Sequence, residues 1–273
     1  SMTPTQGTFQ PTIFSQKVED AVSEATALRL ELRSIPMRSA VEVREMARLN
    51  AEAIHRIEAG NTIADVIVGT SLEHGIKSPT TKQVMRQLAT QVDDLVSGDA
   101  QALLRASEIA SSALSHGLPP GDLPRRPFHW TMEFPEVFDR TSPGFDCIVS
   151  NPPYVSYYGR DSIAGSDSAV FTRFATALYS EIDSEDVLSG RINLFLLFLT
   201  RYTQLLGKGT CGVVLPDTIV TNESYSKMRA ALTKSGRVRR VIQYDTPQFR
   251  NATVGTAVVL MGAPRPEGDV RLD

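Results

Sequence analysis

The run Phe145-Asp146-Cys147-Ile148-Val149-Ser150-Asn151-Pro152-Pro153-Tyr154 holds the residues best suited to chemistry. An apolar stretch that reads as a buried strand ends in an amide, two prolines and an aromatic ring. Loops at the carboxyl ends of such strands are where α/β sheets bind ligands. The two prolines hold the backbone extended and withdraw two N–H donors, which leaves a turn rich in acceptors. Asn151 adds a side-chain carbonyl. An exocyclic amine such as adenine N6 needs such a place. It is a poor nucleophile, because its lone pair is delocalised into the ring. Two acceptors, the Asn151 side chain and the Pro152 carbonyl, can grip both N–H bonds and favour a tetrahedral nitrogen. No strong base is required, so catalysis would rest on positioning and preorganised electrostatics. Tyr154 can stack on a base that has left its duplex. The same four residues can also form a plain turn, since Asn and Pro are ordinary turn residues. The strand before them and the aromatic after them favour the chemical reading.

The elements around this run follow from apolar spacing. Up to about residue 117 the pattern is helical. Val18, Val22, Ala25, Leu28 and Leu32 define one helix that Pro36 ends, and Met46, Leu49, Ala53 and Ile57 define a second that Gly60 stops. Thr62 to Gly69 reads as the start of a short apolar helix. Val84, Leu88, Val92 and Leu95 mark another, and Ala100 to Ala113 one more. Pro and Gly at residues 117–121 mark a connector. Beyond it strands and helices alternate. Arg126 to Glu133, Phe145 to Ser150, Cys211 to Leu215, Val238 to Tyr244 and Val254 to Met261 read as strands. Phe171 to Ile182, Arg191 to Leu206 and Ser224 to Thr233 read as helices. Only a loop separates the last two strands, so they are expected to run antiparallel. The expected class is α/β, a partial Rossmann-like sheet ending in an antiparallel strand and preceded by a helical region. The expected division is 1–120, an insertion or connector, and 121–273, the catalytic half.

The bulk numbers exclude several classes. The chain has 273 residues, 41% of them hydrophobic, enough for a packed core. A net charge of −3 gives no global positive field, so a nucleic-acid partner would need local basic surface. The two cysteines, Cys147 and Cys211, lie in strand-like runs without metal-ligand spacing and read as buried thiols rather than a zinc site. A cytoplasmic location is expected. The longest apolar run, Leu194 to Leu199, is too short to cross a membrane. Ser1 ahead of Met2 reads as the scar of a cleaved tag.

Several ordered blocks carry a family resemblance. Phe145 to Val155 resembles motif IV of the amino-methyltransferases. Phe128-His129-Trp130-Thr131-Met132-Glu133-Phe134-Pro135-Glu136-Val137-Phe138 resembles a segment just before that motif in the Eco57I-like adenine methyltransferases of type IIG restriction–modification and phage-defence systems. Residues 212–217, Gly-Val-Val-Leu-Pro-Asp, resemble their fifth-strand region, and Gln248 to Leu260 resembles motif VIII with the last strand. The resemblance implies a class I methyltransferase fold, S-adenosylmethionine as methyl donor and double-stranded DNA as partner. It implies catalytic roles for Asn151, Pro152 and Tyr154, and a base clamp from Tyr154 and Phe249. It also implies a cofactor surface at Pro153, His129 and Trp130. Taken alone, Phe249 reads as core packing before a strand rather than as a base clamp, and His129 and Trp130 as packed residues. Asn193 reads as a capping or solvated residue with a lesser claim to a role.

The sequence departs from the family pattern in one respect. No glycine-rich turn follows a strand ahead of Asn151, and no acidic ribose-binding position follows it. Gly60, Gly69 and Gly75 are isolated, and Gly207-Lys208-Gly209 reads as a turn into a strand. The expectation is therefore a fragment whose cofactor-binding segment and target-recognition domain belong elsewhere in a parent chain. Alternatives are transfer to a glutamine amide, transfer to cytosine N4, and a non-catalytic helical or DNA-binding scaffold.

Overall fold

The computed structural model describes residues 13–155, 193–244, 248, 255–265 and 271–272. The expected helix over Phe171 to Ile182 lies outside them, as do Phe249 and most of motif VIII. The chain forms two compact units that divide between Thr141 and Ser142.

The first unit is helical. Its elements are α1 (Ile13–Ser34), α2 (Ala40–His74), α3 (Pro79–Val96), α4 (Ala100–Leu114) and two single turns, α5 (Trp130–Glu133) and α6 (Pro135–Phe138). The starts of three helices are fixed by side chains that accept free N–H groups: Ser39 from Glu42, Ser78 from Thr81 and Asp99 from Ala102. Helix α2 does not stop at Gly60, and Thr62 to Gly69 is no separate helix. Both glycines are buried in one continuous rod. A Cβ on Gly60 would lie 3.1 Å from the Met132 methyl, and one on Gly69 3.0 Å from the Ala113 methyl. Close packing of neighbours thus outweighs the roughly 1 kcal/mol that glycine costs a helix.

The expected strand from Arg126 to Glu133 is absent. The backbone instead closes helical turns, with the N–H groups of Met132 and Glu133 donating to the His129 carbonyl. Met132 is buried against Ala25, Ala53 and Ile57. The carboxylate of Glu136, only 4% exposed, pairs with Arg33 at 2.5 Å and with Arg29 at 3.8 Å. These contacts bind the segment to α1 and α2.

The second unit contains β1 (Phe145–Ser150), α7 (Leu194–Leu205), β2 (Leu206–Pro216) and α8 (Thr218–Thr221). A 3₁₀ turn (Glu223–Tyr225) leads into α9 (Ser226–Lys234), and β3 (Val238–Gln243), β4 (Thr256–Met261) and β5 (Arg271–Leu272) follow. The sheet order is β1-β2-β4-β3-β5. Strands β1 and β2 run parallel, and β4 runs antiparallel to both β2 and β3. The expected α/β class with an antiparallel closing hairpin is the one adopted. Side chains of α7 and α9, led by Phe195, Leu199 and Met228, join Cys211, Val213, Leu215, Val259 and Met261 in one core. Strand directions bring the ends of β1, β2 and β3 and the start of β4 to a single edge of the sheet.

The register separates the two cysteines. Ile148 pairs with Cys211 and lies against the core, so Cys147 and Val149 point to the other face. Cys211 is fully buried, but Cys147 is exposed, contrary to the expectation of two buried thiols. Val149 pairs with Gly212, which has no side chain to cover it, and is 85% exposed. Among the described residues no helix is long and apolar enough to cross a membrane.

Candidate active site

The ladder of β1 ends at the pair Ser150 and Val213 because the next residues but one, Pro152 and Pro153, have no N–H to continue it. Asn151, at the carboxyl end of the strand, is exposed. Its side chain makes no hydrogen bond with any described residue, and neither does the Pro152 carbonyl. Pro152 itself is buried and Pro153 is exposed. The turn thus anchors one proline, and among the described residues it leaves two acceptors, an amide oxygen and a carbonyl, without a donor.

Helix α7 supports this turn. Asn193 caps it by accepting from the Phe195 N–H at 3.4 Å, which is the capping role its position suggests. The Leu194 N–H donates to the Val155 carbonyl at 2.9 Å. The Phe195 ring, fully buried, stands edge-on to Tyr154 with centroids 6.3 Å apart and edge-on to Tyr225 at 5.5 Å. The Tyr154 hydroxyl is buried without a partner among the described residues. Burial raises the pKa of Tyr154 and Tyr225, so both rings are neutral across the ordinary pH range. Lower on α7, the Tyr202 hydroxyl meets Ser150 Oγ at 2.5 Å.

Two further strand ends complete the edge. The Asp217 N–H, just after β2, donates to the Gly255 carbonyl at 2.9 Å, and the Tyr244 N–H donates to the Thr256 carbonyl at 3.2 Å. A Cβ on Gly255 would overlap the Asp217 carboxylate. These contacts pin both ends of the connection between β3 and β4. Phe249 belongs to that connection and lies outside the described residues.

His129 and Trp130 belong to the helical unit. His129 Nε2 lies 2.8 Å from Asp65 Oδ1 on α2. Trp130 stacks on Phe134 at 5.9 Å and meets Phe128 edge-on at 4.8 Å. Among the described residues no group of three or more His, Cys, Asp and Glu side chains could hold a metal ion.

The sequence reading did not single out Ser150, Phe195, Tyr202 or Tyr225. One signal was available: Phe195, Phe198 and Tyr202 recur at three and four residues, so one helix carries a row of rings that begins just after Asn193.

Residues 105–249, more than half of the chain, match the Eco57I restriction-modification methylase family. The chain belongs to that family. It is 25% identical over 126 residues to the type II restriction enzyme and methyltransferase RM.Eco57I of Escherichia coli, covering 45% of this chain and 12% of that protein. It is 22% identical over 145 residues to RM.MjaORFECS2P of Methanocaldococcus jannaschii, covering 53% and 11%. The chain therefore matches about a tenth of the length of these curated relatives. Among solved structures, the methyltransferase subunit of a type I restriction-modification system from Streptococcus thermophilus is similar at 18% identity and a TM-score of 0.37. That similarity covers 62% of this chain and 33% of the subunit.

Proposed function

We propose that this chain is the catalytic portion of a DNA methyltransferase that modifies adenine N6 in a restriction–modification or defence system. The observation that carries the reading is the exposed Asn151 at the carboxyl end of β1, whose amide, like the Pro152 carbonyl, has no hydrogen-bond partner among the described residues. Membership of the restriction-modification methylase family supports the class of substrate.

In this reading the Asn151 amide oxygen and the Pro152 carbonyl each accept one N6–H of an adenine turned out of its duplex. Gripping both protons localises the nitrogen lone pair and directs it away from the ring plane. Tyr154 borders the base on one side, and Phe249 is assigned to the other. The proton lost after transfer is acidic enough to leave to water. The chain's contribution is therefore geometry and fixed dipoles.

S-adenosylmethionine, the donor assigned here, supplies an electrophilic methyl group carried on a sulfonium. Of the three positions assigned to it, Pro153 fits, being exposed beside Asn151. His129 is engaged with Asp65, and Trp130 with Phe134, so those two hold it only if those contacts yield. A duplex partner needs positive charge. Between Arg201 and Arg265 lysines and arginines outnumber acids ten to three.

The test is Asn151→Ala in the complete enzyme. Methyl transfer to DNA is expected to fall by about a hundred- to a thousandfold, the scale of a lost preorganised contact, with duplex affinity nearly unchanged. Mass spectrometry of DNA and protein after reaction checks the acceptor. Label on a glutamine amide, or normal turnover of the variant, overturns the reading.

A further inference from the structure

We propose that Tyr202 is a positioning residue for Asn151, acting through Ser150. The inference rests on the role assigned to Asn151 above. Ser150 is the last residue of β1 and is bonded directly to Asn151 in the chain. Its backbone position is set by the ladder, through its pairing with Val213. Its side chain points to the α7 face, where Oγ lies 2.5 Å from the Tyr202 hydroxyl, at the short end of the range for such bonds.

Tyr202 does not act from an isolated surface. Its ring leans on Phe198 at 6.1 Å, and it packs against the core of the sheet. Burial raises the pKa of its hydroxyl, which therefore keeps its proton across the neutral range.

The same helix meets the other side of the motif. The Leu194 N–H donates to the Val155 carbonyl, and Phe195 stands against Tyr154. Residues 194 and 202 are about 12 Å apart along a helix. One rigid rod thus holds the residue before Asn151 and the two residues at the far end of the turn. Pro152 and Pro153 stiffen what lies between. The turn is clamped at both ends, and the Ser150–Tyr202 bond is the clamp at the Asn151 end. A reacting group must be held to a fraction of an ångström, and a shift of about 1 Å can cost a hundredfold in rate. Loosening this clamp should slow the reaction without weakening either ligand.

The experiment uses the complete enzyme with Tyr202→Phe, Ser150→Ala, the double variant and Ser150→Thr. Single-turnover methylation of duplex DNA is measured at saturating donor, alongside duplex affinity and the thermal unfolding midpoint. Each single variant is expected to slow transfer about tenfold, with duplex affinity and donor KM unchanged and the midpoint within a few degrees. The double variant should be no slower than either single one, because both remove the same bond. Ser150→Thr, which keeps a hydroxyl, should recover most of the rate. A wild-type rate in Tyr202→Phe, or additive losses in the double variant, overturns the proposal. Asn151→Ala run in parallel separates the two ideas: if it is inactive while Tyr202→Phe is normal, only the positioning role falls. If it is fully active, the assignment of Asn151 falls as well.

Discussion

Burial pushes the Cys211 thiol up to about 12, and the nearby Cys147 adds to the rise. The folded protein therefore holds Cys211 as a neutral thiol where an unfolded chain would ionise it near 9. That preference contributes stability fully present below about 9, and lost as the pH rises toward 12. It also sets reactivity, because the thiolate is the nucleophile. At pH 8 the native chain is expected to react with one equivalent of an aromatic disulfide reagent, at the exposed Cys147. A second equivalent should react only after denaturation. Two fast equivalents in the native protein would show that Cys211 is not enclosed by Phe195, Leu199 and their neighbours. The two thiols were indistinguishable in the sequence, since each sits in an apolar run of similar length. Only the pairing of Ile148 with Cys211 decides which of them faces α7. Asn151 is the reverse case: its exposed place at the end of β1 was legible because two prolines and a strand end are local features, independent of which strand lies next door.

At the scale of elements, glycine is the residue whose role depends most on what packs against it. Gly60 ends a periodic pattern and so reads as a helix stop, yet α2 runs through it because Met132 leaves no space for a side chain. Gly207-Lys208-Gly209 reads as a turn, but it lies inside β2. A Cβ on Gly209 would overlap the backbone of Asp146, and one on Gly207 would lie 2.9 Å from the Pro143 carbonyl. Gly144, with φ of +108°, takes a conformation that side chains rarely adopt. These glycines let the incoming backbone of β1 pass close against β2 just before the shift in register between Phe145 and Cys147. Gly212 is different, because a Cβ there would meet only Leu260 at an ordinary 3.5 Å. Gly209→Ala is therefore expected to cost about 2 kcal/mol or more in urea unfolding, and Gly212→Ala less than about 0.5 kcal/mol in either direction. Equal effects would mean that the close approach does not constrain β2. The helices themselves were legible because periods of three and four persist over many residues. Arg126 to Glu133 was not, because a short apolar run fits a strand or a packed turn equally well until a partner is known.

For the whole molecule, the proposed function raises the question of which part of a methyl-transfer site this chain would hold. The turn to which the grip on the amine is assigned, its backing helix and the pinned roots of the β3–β4 connection are all present in one unit. The glycine-rich turn that the family resemblance implies has no counterpart among the described residues. The Gly-x-Gly in the sequence serves strand packing, and Gly144 and Gly255 are fixed by backbone and carboxylate neighbours. Strand β1 is outermost in the described sheet, and its Cys147 and Val149 face is open. Parallel strand pairs are normally covered on both faces, so in a complete enzyme this face of the β1–β2 pair is expected to be covered. From these features the chain alone should give no micromolar S-adenosylmethionine binding in a calorimetric titration, and no methylation of duplex DNA. If instead the donor binds with a Kd near 1 µM, about −8 kcal/mol, the chain holds a full pocket. Pro153 and its neighbours would then suffice without a glycine turn. A weak titration that becomes tight when the complete enzyme replaces the chain would assign the remainder of the pocket to other segments, leaving to this unit the grip on the amine.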